Sequence, residues 1–205
     1  MSAVRNVVMD LGGVMLDWNP DLLLTPFEPE PQLRRQLRAK IFGVDWQQFD
    51  RGRLTELELV GRLAVCSGQT RDRVIEIIRA ARESLVEKPE TIKLVRALRQ
   101  RGLDIYCLSN MPAPMYEHLR QRHTFWDVFS GVVVSGEIQL MKPEPQIYLH
   151  LLERFGLIAD ESVFIDDMQI NVAAAKGVGL HAIRFLNAAQ CEQELDALLA
   201  TMTPS

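Results

Sequence analysis

The amino-acid sequence predicts an α/β protein: a parallel sheet covered by helices on both faces, with a helical segment inserted after the first strand. Three observations predict it. Five short, apolar and largely β-branched runs recur along the chain, each suited to a strand buried on both faces. Helical periodicities with stop signals fill the stretches between them. The stretch from the first run to Pro89 holds no convincing strand and reads instead as helices.

The strand runs, in order, are Val7-Val8-Met9, Ile105 to Leu108, Val132 to Val134, Val163 to Ile165 and Ala182 to Phe185. Within the insert, one helix is expected over Pro31 to Ile41 and a second opens at Thr55, with Glu58 three residues on. A third starts at Thr70 and carries Val74, Ile77, Ile78, Ala81 and Leu85 on one stripe. From Pro89 to Arg101, Ile92, Val95 and Leu98 share a face, and Gly102 sits where a helix ends. Pro145 to Phe155 gathers Ile147, Leu151, Leu152 and Phe155, and Gly156 stops it. At the tail, Asn187 with Gln190 makes a capping-box-like start for a stripe of Cys191, Leu195, Leu198, Leu199 and Met202. The expected division is a core of residues 1-14 and 87-205 around a helical cap of residues 15-86.

Composition narrows the class of function. With 23 Lys+Arg against 27 Asp+Glu, the net charge is -4, and no dense basic stripe is present, which speaks against nucleic-acid binding. No apolar run approaches the ~18 residues of a membrane span. The hydrophobic opening is broken by Asp10 and does not read as a signal peptide. Cys66, Cys107 and Cys191 share no metal-ligand spacing and read as buried, reduced thiols of a cytoplasmic protein. The four histidines do not cluster, and the eight Met and three Trp read as packing.

Polar groups punctuate the strand ends. Asp10 follows the first run, Ser109-Asn110 the second and Asp166-Asp167 the fourth, while Lys142-Pro143 lies a few residues beyond the third. Singly, each has an ordinary reading: an Asx turn, a helix cap, a surface lysine. In a parallel sheet, however, ligands bind outside the carboxyl ends of the strands, so the four converge on one edge. Carboxylates there suit a divalent cation, and Lys with backbone N–H groups suits an anionic substrate. Asn171 either orients the acidic loop or starts a helix. Arg51 and Arg53 either reach a substrate from the cap or, as the preferred reading, are exposed arginines.

These segments, Val7-Val8-Met9-Asp10-Leu11-Gly12-Gly13-Val14, Leu108-Ser109-Asn110, Lys142-Pro143 and Phe164-Ile165-Asp166-Asp167, resemble the four motifs of the haloacid dehalogenase-like hydrolase superfamily, in order and spacing, over essentially the whole chain. The resemblance implies a Rossmann-like core with the α-helical cap of subfamily I. Asp10-Leu11-Gly12-Gly13-Val14 with Asp17 is most similar to the branch that includes bacterial α-D-glucose-1-phosphate phosphatase. It further implies a phosphatase in which Asp10 is the nucleophile and forms an aspartyl-phosphate. Mg²⁺ is then held by Asp10, the Gly12 carbonyl, Asp167 directly and Asp166 through water. Ser109 and the Asn110 backbone N–H bind phosphoryl oxygens, and Lys142 contributes a fixed positive charge.

The sequence departs from that pattern at one position. The superfamily's phosphatases usually carry a second Asp two residues after the nucleophile, as general acid and base, and here that residue is Gly12. Either the leaving group needs little protonation, as an anomeric sugar alcohol would, or a cap carboxylate or Asp17 supplies the proton. The expectation is a phosphatase for a small, sugar-phosphate-like metabolite. The alternatives are a metal-free 2-haloacid dehalogenase, whose characteristic tyrosine has a counterpart near Tyr148, and a non-catalytic binding protein.

Overall fold

The structure, a computed structural model, describes residues 3–201; Met202 of the expected tail stripe lies outside the described residues. Five strands form one sheet: β1 (Asn6–Met9), β2 (Asp104–Ser109), β3 (Gly131–Val134), β4 (Ser162–Asp166) and β5 (His181–Arg184). Their order is β3-β2-β1-β4-β5, and every pairing is parallel. The chain steps outward from β1 through β2 to β3, then returns to the other side of β1 for β4 and β5. The crevice between β1 and β4 is thus the topological switch point, where open α/β sheets bind ligands. All four residues of β1 are buried, as a central strand covered on both faces requires.

Alternation along the strands sends side chains to opposite faces. Val7 and Met9 of β1, with Ile105 and Cys107 of β2, join one apolar cluster. It continues into α6 (Pro89–Gln100) through Ile92 and Leu98, and into α11 (Ala188–Thr201) through Cys191 and Leu195. Val8, Tyr106, Leu108 and Phe164 face the other way, against Ile147, Tyr148 and Leu151 of α9 (Pro145–Phe155) and Ala175 of α10 (Gln169–Gly177). Two further helices, α7 (Ala113–Arg122) and the short α8 (Ser135–Ile138), lie near the carboxyl ends of β2 and β3. No described helix is long and apolar enough to cross a membrane.

Between β1 and α6 come α1 (Pro20–Leu23), α2 (Pro31–Ile41), α3 (Val44–Asp50), α4 (Glu56–Ser67) and α5 (Arg71–Glu83), with no strand among them. The outgoing and returning chain run side by side: Asp17 N–H donates to the Val86 carbonyl at 2.8 Å, and Lys88 N–H to the Met15 carbonyl at 2.9 Å. The expected caps are in place. Thr55 and Glu58 form a reciprocal capping box, and the Thr70 side chain accepts from the Arg73 N–H. Asn187 caps α11 by accepting from the Gln190 N–H, while Gln190 reaches one residue further back, to the Leu186 N–H. Leu85 is buried as expected, though it lies just past the end of α5. The short helices α1 and α8 and the mainly polar α7, which buries only Met115 and Leu119, carry no apolar stripe for periodicity to detect.

Candidate active site

The switch point places Asp10 at the end of β1 and Asp166 at the end of β4, joined by the hydrogen bond from Asp10 N–H to the Ile165 carbonyl at 2.9 Å. Lys142 is 2 % exposed and lies between the two acids: its Nζ is 2.8 Å from Asp10 Oδ1 and 2.7 Å from Asp166 Oδ2. Such a buried ammonium persists only because two carboxylates embrace it, and together they hold its pKa above the ordinary lysine value despite burial. The loop that carries it is clamped by Asn110. The Asn110 amide donates to the Lys142 carbonyl at 2.9 Å, and its Oδ1 accepts from the Lys142 N–H at 2.8 Å.

Asp166 is fully committed. It accepts from Lys142, from the Met168 N–H at 2.8 Å, and from Asn171 Nδ2 at 3.0 Å to each oxygen. Of the two readings open for Asn171, orientation of the acidic loop is therefore the one the structure bears out. Asp167 is only partly buried and packs on Gly13. A Cβ there would sit 2.6 Å from Asp167 Oδ2, and the φ of +80° at Gly13 is a region other residues rarely adopt. One oxygen each from Asp10, Asp166 and Asp167 fall within 4.8 Å of one another. Three acids against one ammonium leave an excess of negative charge. Burial, opposed by Lys142 and reinforced by Asp166 and Asp167, lifts the Asp10 carboxyl to about 7. Burial and Asp166 likewise raise Asp167. A hard divalent cation fits this donor set, because hard oxygen ligands and surplus negative charge are what it needs.

A cavity of about 520 Å³ opens onto Asp10, Ser109, Asn110, Lys142 and Asp167. Gly12 also lines it, and a Cβ at Gly12 would meet Trp18 at 3.6 Å, so the indole stands where a larger side chain would project. From the insert come Trp46, Asp50 and Arg51. Burial alone pushes the Asp50 carboxyl well above the usual carboxylate range, which favours its protonated form. Arg51 is not the exposed arginine expected: its guanidinium pairs with Glu144, across the boundary between insert and core. Asp17 is exposed and does not line the cavity. Tyr148 is fully buried against Phe164, and its hydroxyl donates to the Asn171 carbonyl at 3.0 Å, away from the cavity.

Sequence reasoning missed two groups. Lys88 donates to the Gly13 carbonyl at 2.9 Å and steadies the loop after Asp10; its place before a helix-opening proline carried no signal. Met111, Met115, Met141 and Met168, assigned to packing, also line the cavity; Met111 and Met115 are buried in the core as expected.

Two buried acids and a partly buried third, gathered beside one ammonium at the switch point of a parallel sheet, define an α/β enzyme site suited to a divalent cation. The chain belongs to the haloacid dehalogenase-like hydrolases, whose family model matches residues 4–179. It is 29% identical to the sesquiterpene phosphatase astK of Aspergillus oryzae, over 95% of this chain and 96% of that protein. It is 24% identical to the phosphoglycolate phosphatase of Escherichia coli, over 88% and 80% of the two chains. Its fold matches a HAD family enzyme from Bacteroides thetaiotaomicron solved with magnesium and inorganic phosphate, with a TM-score of 0.72 at 23% identity, covering 88% of this chain and 93% of that one. The protein is an enzyme of the phosphoric monoester hydrolase type.

Proposed function

We propose that the protein is a Mg²⁺-dependent phosphatase of the cytoplasm, acting on a small phosphorylated metabolite through an aspartyl-phosphate on Asp10. The observation that carries this reading is the convergence of three carboxylates within 4.8 Å around a buried ammonium. Asp10, Asp167 and the Gly12 carbonyl hold the cation, with Asp166 behind them. When bound, Mg²⁺ supplies charge neutralisation at the phosphoryl oxygens. The three cysteines are unpaired, Cys107 and Cys191 buried as expected but Cys66 exposed, and free thiols suit a reducing compartment.

The ionised Asp10 attacks phosphorus as the bond to the leaving oxygen breaks, and Lys142 offsets the developing charge. Ser109 Oγ and the Asn110 backbone N–H hold phosphoryl oxygens. Asp50 delivers the proton to the leaving oxygen, then accepts one from the water that splits the acyl phosphate. Asp50 is chosen over Asp17 because it lines the cavity, where burial favours its protonated form. Glu144, the other acid contributed near Lys142, is held ionised by Arg51. The sugar-phosphate range and the glucose-1-phosphate phosphatase branch draw no specific support from the cavity, whose lining is in large part apolar. The dehalogenase reading loses its tyrosine, since Tyr148 is turned away from the cavity.

The test is phosphate release from p-nitrophenyl phosphate with Mg²⁺ and with chelator, for wild type and Asp10→Asn, beside halide release from 2-chloropropionate. Mg²⁺-dependent phosphate release that disappears in the variant is expected. Metal-free halide release would overturn the reading, and silence in both assays would leave a binding protein.

A further inference from the structure

The cavity over Asp10 is apolar in a way the phosphoryl chemistry does not require. Its volume lies within the ~300–1,000 Å³ of small-molecule sites. Four of the chain's eight methionines line it, beside Trp18 and Trp46. Flexible, polarisable methionine is suited to surfaces that adapt to irregular apolar ligands. At the rim, Met168 and Ile170 are 55% and 58% exposed, one and three residues beyond Asp167. Their exposure continues the apolar lining outward from the reacting group.

Several polar side chains of the lining are already engaged with one another. Lys142 holds Asp10 and Asp166, the Asn110 side chain holds the Lys142 loop, and Asn171 holds Asp166. Arg51 presents both terminal nitrogens to Glu144 and keeps only its Nε without a partner, so its charge is already matched by a carboxylate of the lining. A ring of hydroxyls would be buried against thioethers and indoles, and each hydroxyl without a partner would cost about tenfold or more in affinity.

Resting on the phosphatase reading, we propose that the organic part of the substrate is an extended apolar chain, an alkyl or prenyl-type group. It packs on Trp18, Trp46, Met111, Met115 and Met141 and leaves past Met168 and Ile170. The enzyme is thereby a phosphatase for monophosphates of hydrophobic alcohols, with specificity resting on buried chain length.

The experiment is a series of n-alkyl phosphates from ethyl to octyl, compared with glucose 1-phosphate and phosphoglycolate for phosphate release, with p-nitrophenyl phosphate as the general phosphatase control. Binding of ethyl- and octylphosphonate, which are not hydrolysed, is followed in parallel by tryptophan fluorescence. The expected kcat/KM rises about three- to fourfold per methylene until the cavity is filled, and phosphonate affinity rises with it. Met115→Gln is expected to flatten both slopes. A flat series, or preference for glucose 1-phosphate or phosphoglycolate with p-nitrophenyl phosphate still hydrolysed, overturns the apolar substrate and leaves the phosphatase intact. Chain-length-dependent phosphonate binding without hydrolysis of any phosphate sustains the apolar site and overturns the phosphatase.

Discussion

Asp10→Asn is expected to abolish turnover and yet to stabilise the metal-free fold at neutral and alkaline pH. The Asp10 carboxyl is raised from 3.8 to about 7, chiefly because burial penalises its charge. At about 1.4 kcal/mol per pKa unit, ionising it in the folded chain costs on the order of 4 kcal/mol relative to the unfolded chain. The folded-state pKa lies above the unfolded one, so the folded chain binds this proton more tightly. Its contribution is therefore fully favourable below about pH 4, declines as pH rises to about 7, and is flat beyond. Asn carries no such penalty. Lys142 loses one charged partner but keeps Asp166 at 2.7 Å, and the carboxamide oxygen still accepts its hydrogen bond. Weakening that charge-assisted bond takes back about 1–2 kcal/mol. The variant should thus be more stable than wild type by roughly 2–3 kcal/mol at pH 8 and level or slightly weaker at pH 4. Urea unfolding in chelator at the two pH values, followed by tryptophan fluorescence, measures the difference. A difference that does not change with pH, or a variant less stable at pH 8, would refute the electrostatic account of the site.

The same charge excess makes Mg²⁺ affinity depend on pH, since protons on Asp10 and Asp167 compete with the cation: calorimetry should show binding tightening up to tenfold per pH unit below about 7 and levelling above it. Asp167→Asn should weaken that binding at least 10- to 100-fold, as an effect on a ligand and not merely on its support; unchanged affinity would remove Asp167 from the cation site. Gly13→Ala forces a Cβ to within 2.6 Å of Asp167 Oδ2 at a φ of +80°, so it should cost about 1–3 kcal/mol in unfolding experiments and lower Mg²⁺ affinity together. Asp50→Asn should slow alkyl phosphates, whose leaving groups need a proton, by ~10²- to 10⁴-fold and p-nitrophenyl phosphate far less. Equal slowing of both would show that Asp50 does not protonate the leaving group.

Much of this protein was legible in its sequence because the signals are local. A strand buried on both faces must be short and apolar, and its polar end residue marks the sheet edge, so Asp10, Ser109, Asn110, Lys142, Asp166 and Asp167 could be named and assigned to one edge before any coordinates. Capping chemistry likewise fixed the starts of α4, α5 and α11 within a residue. What stayed hidden was the division of labour among the acids. Nothing in Asp166-Asp167 distinguishes the partner of Lys142 and Asn171 from the acid left free beside Gly13; that depends on contacts from segments 24 and 5 residues away.

The lining of the cavity was hidden for a deeper reason. A methionine or tryptophan facing a cavity and one packed in a core have the same local pattern, because periodicity reports which face is apolar and not what covers it. The sequence by itself determined the sheet, the helical insert and the kind of chemistry at the strand ends. Only the tertiary structure decided that Trp18 and Trp46 line one cavity with Met111, Met115 and Met141 beside Asp10, since that surface is assembled from the insert and from two separate segments of the core.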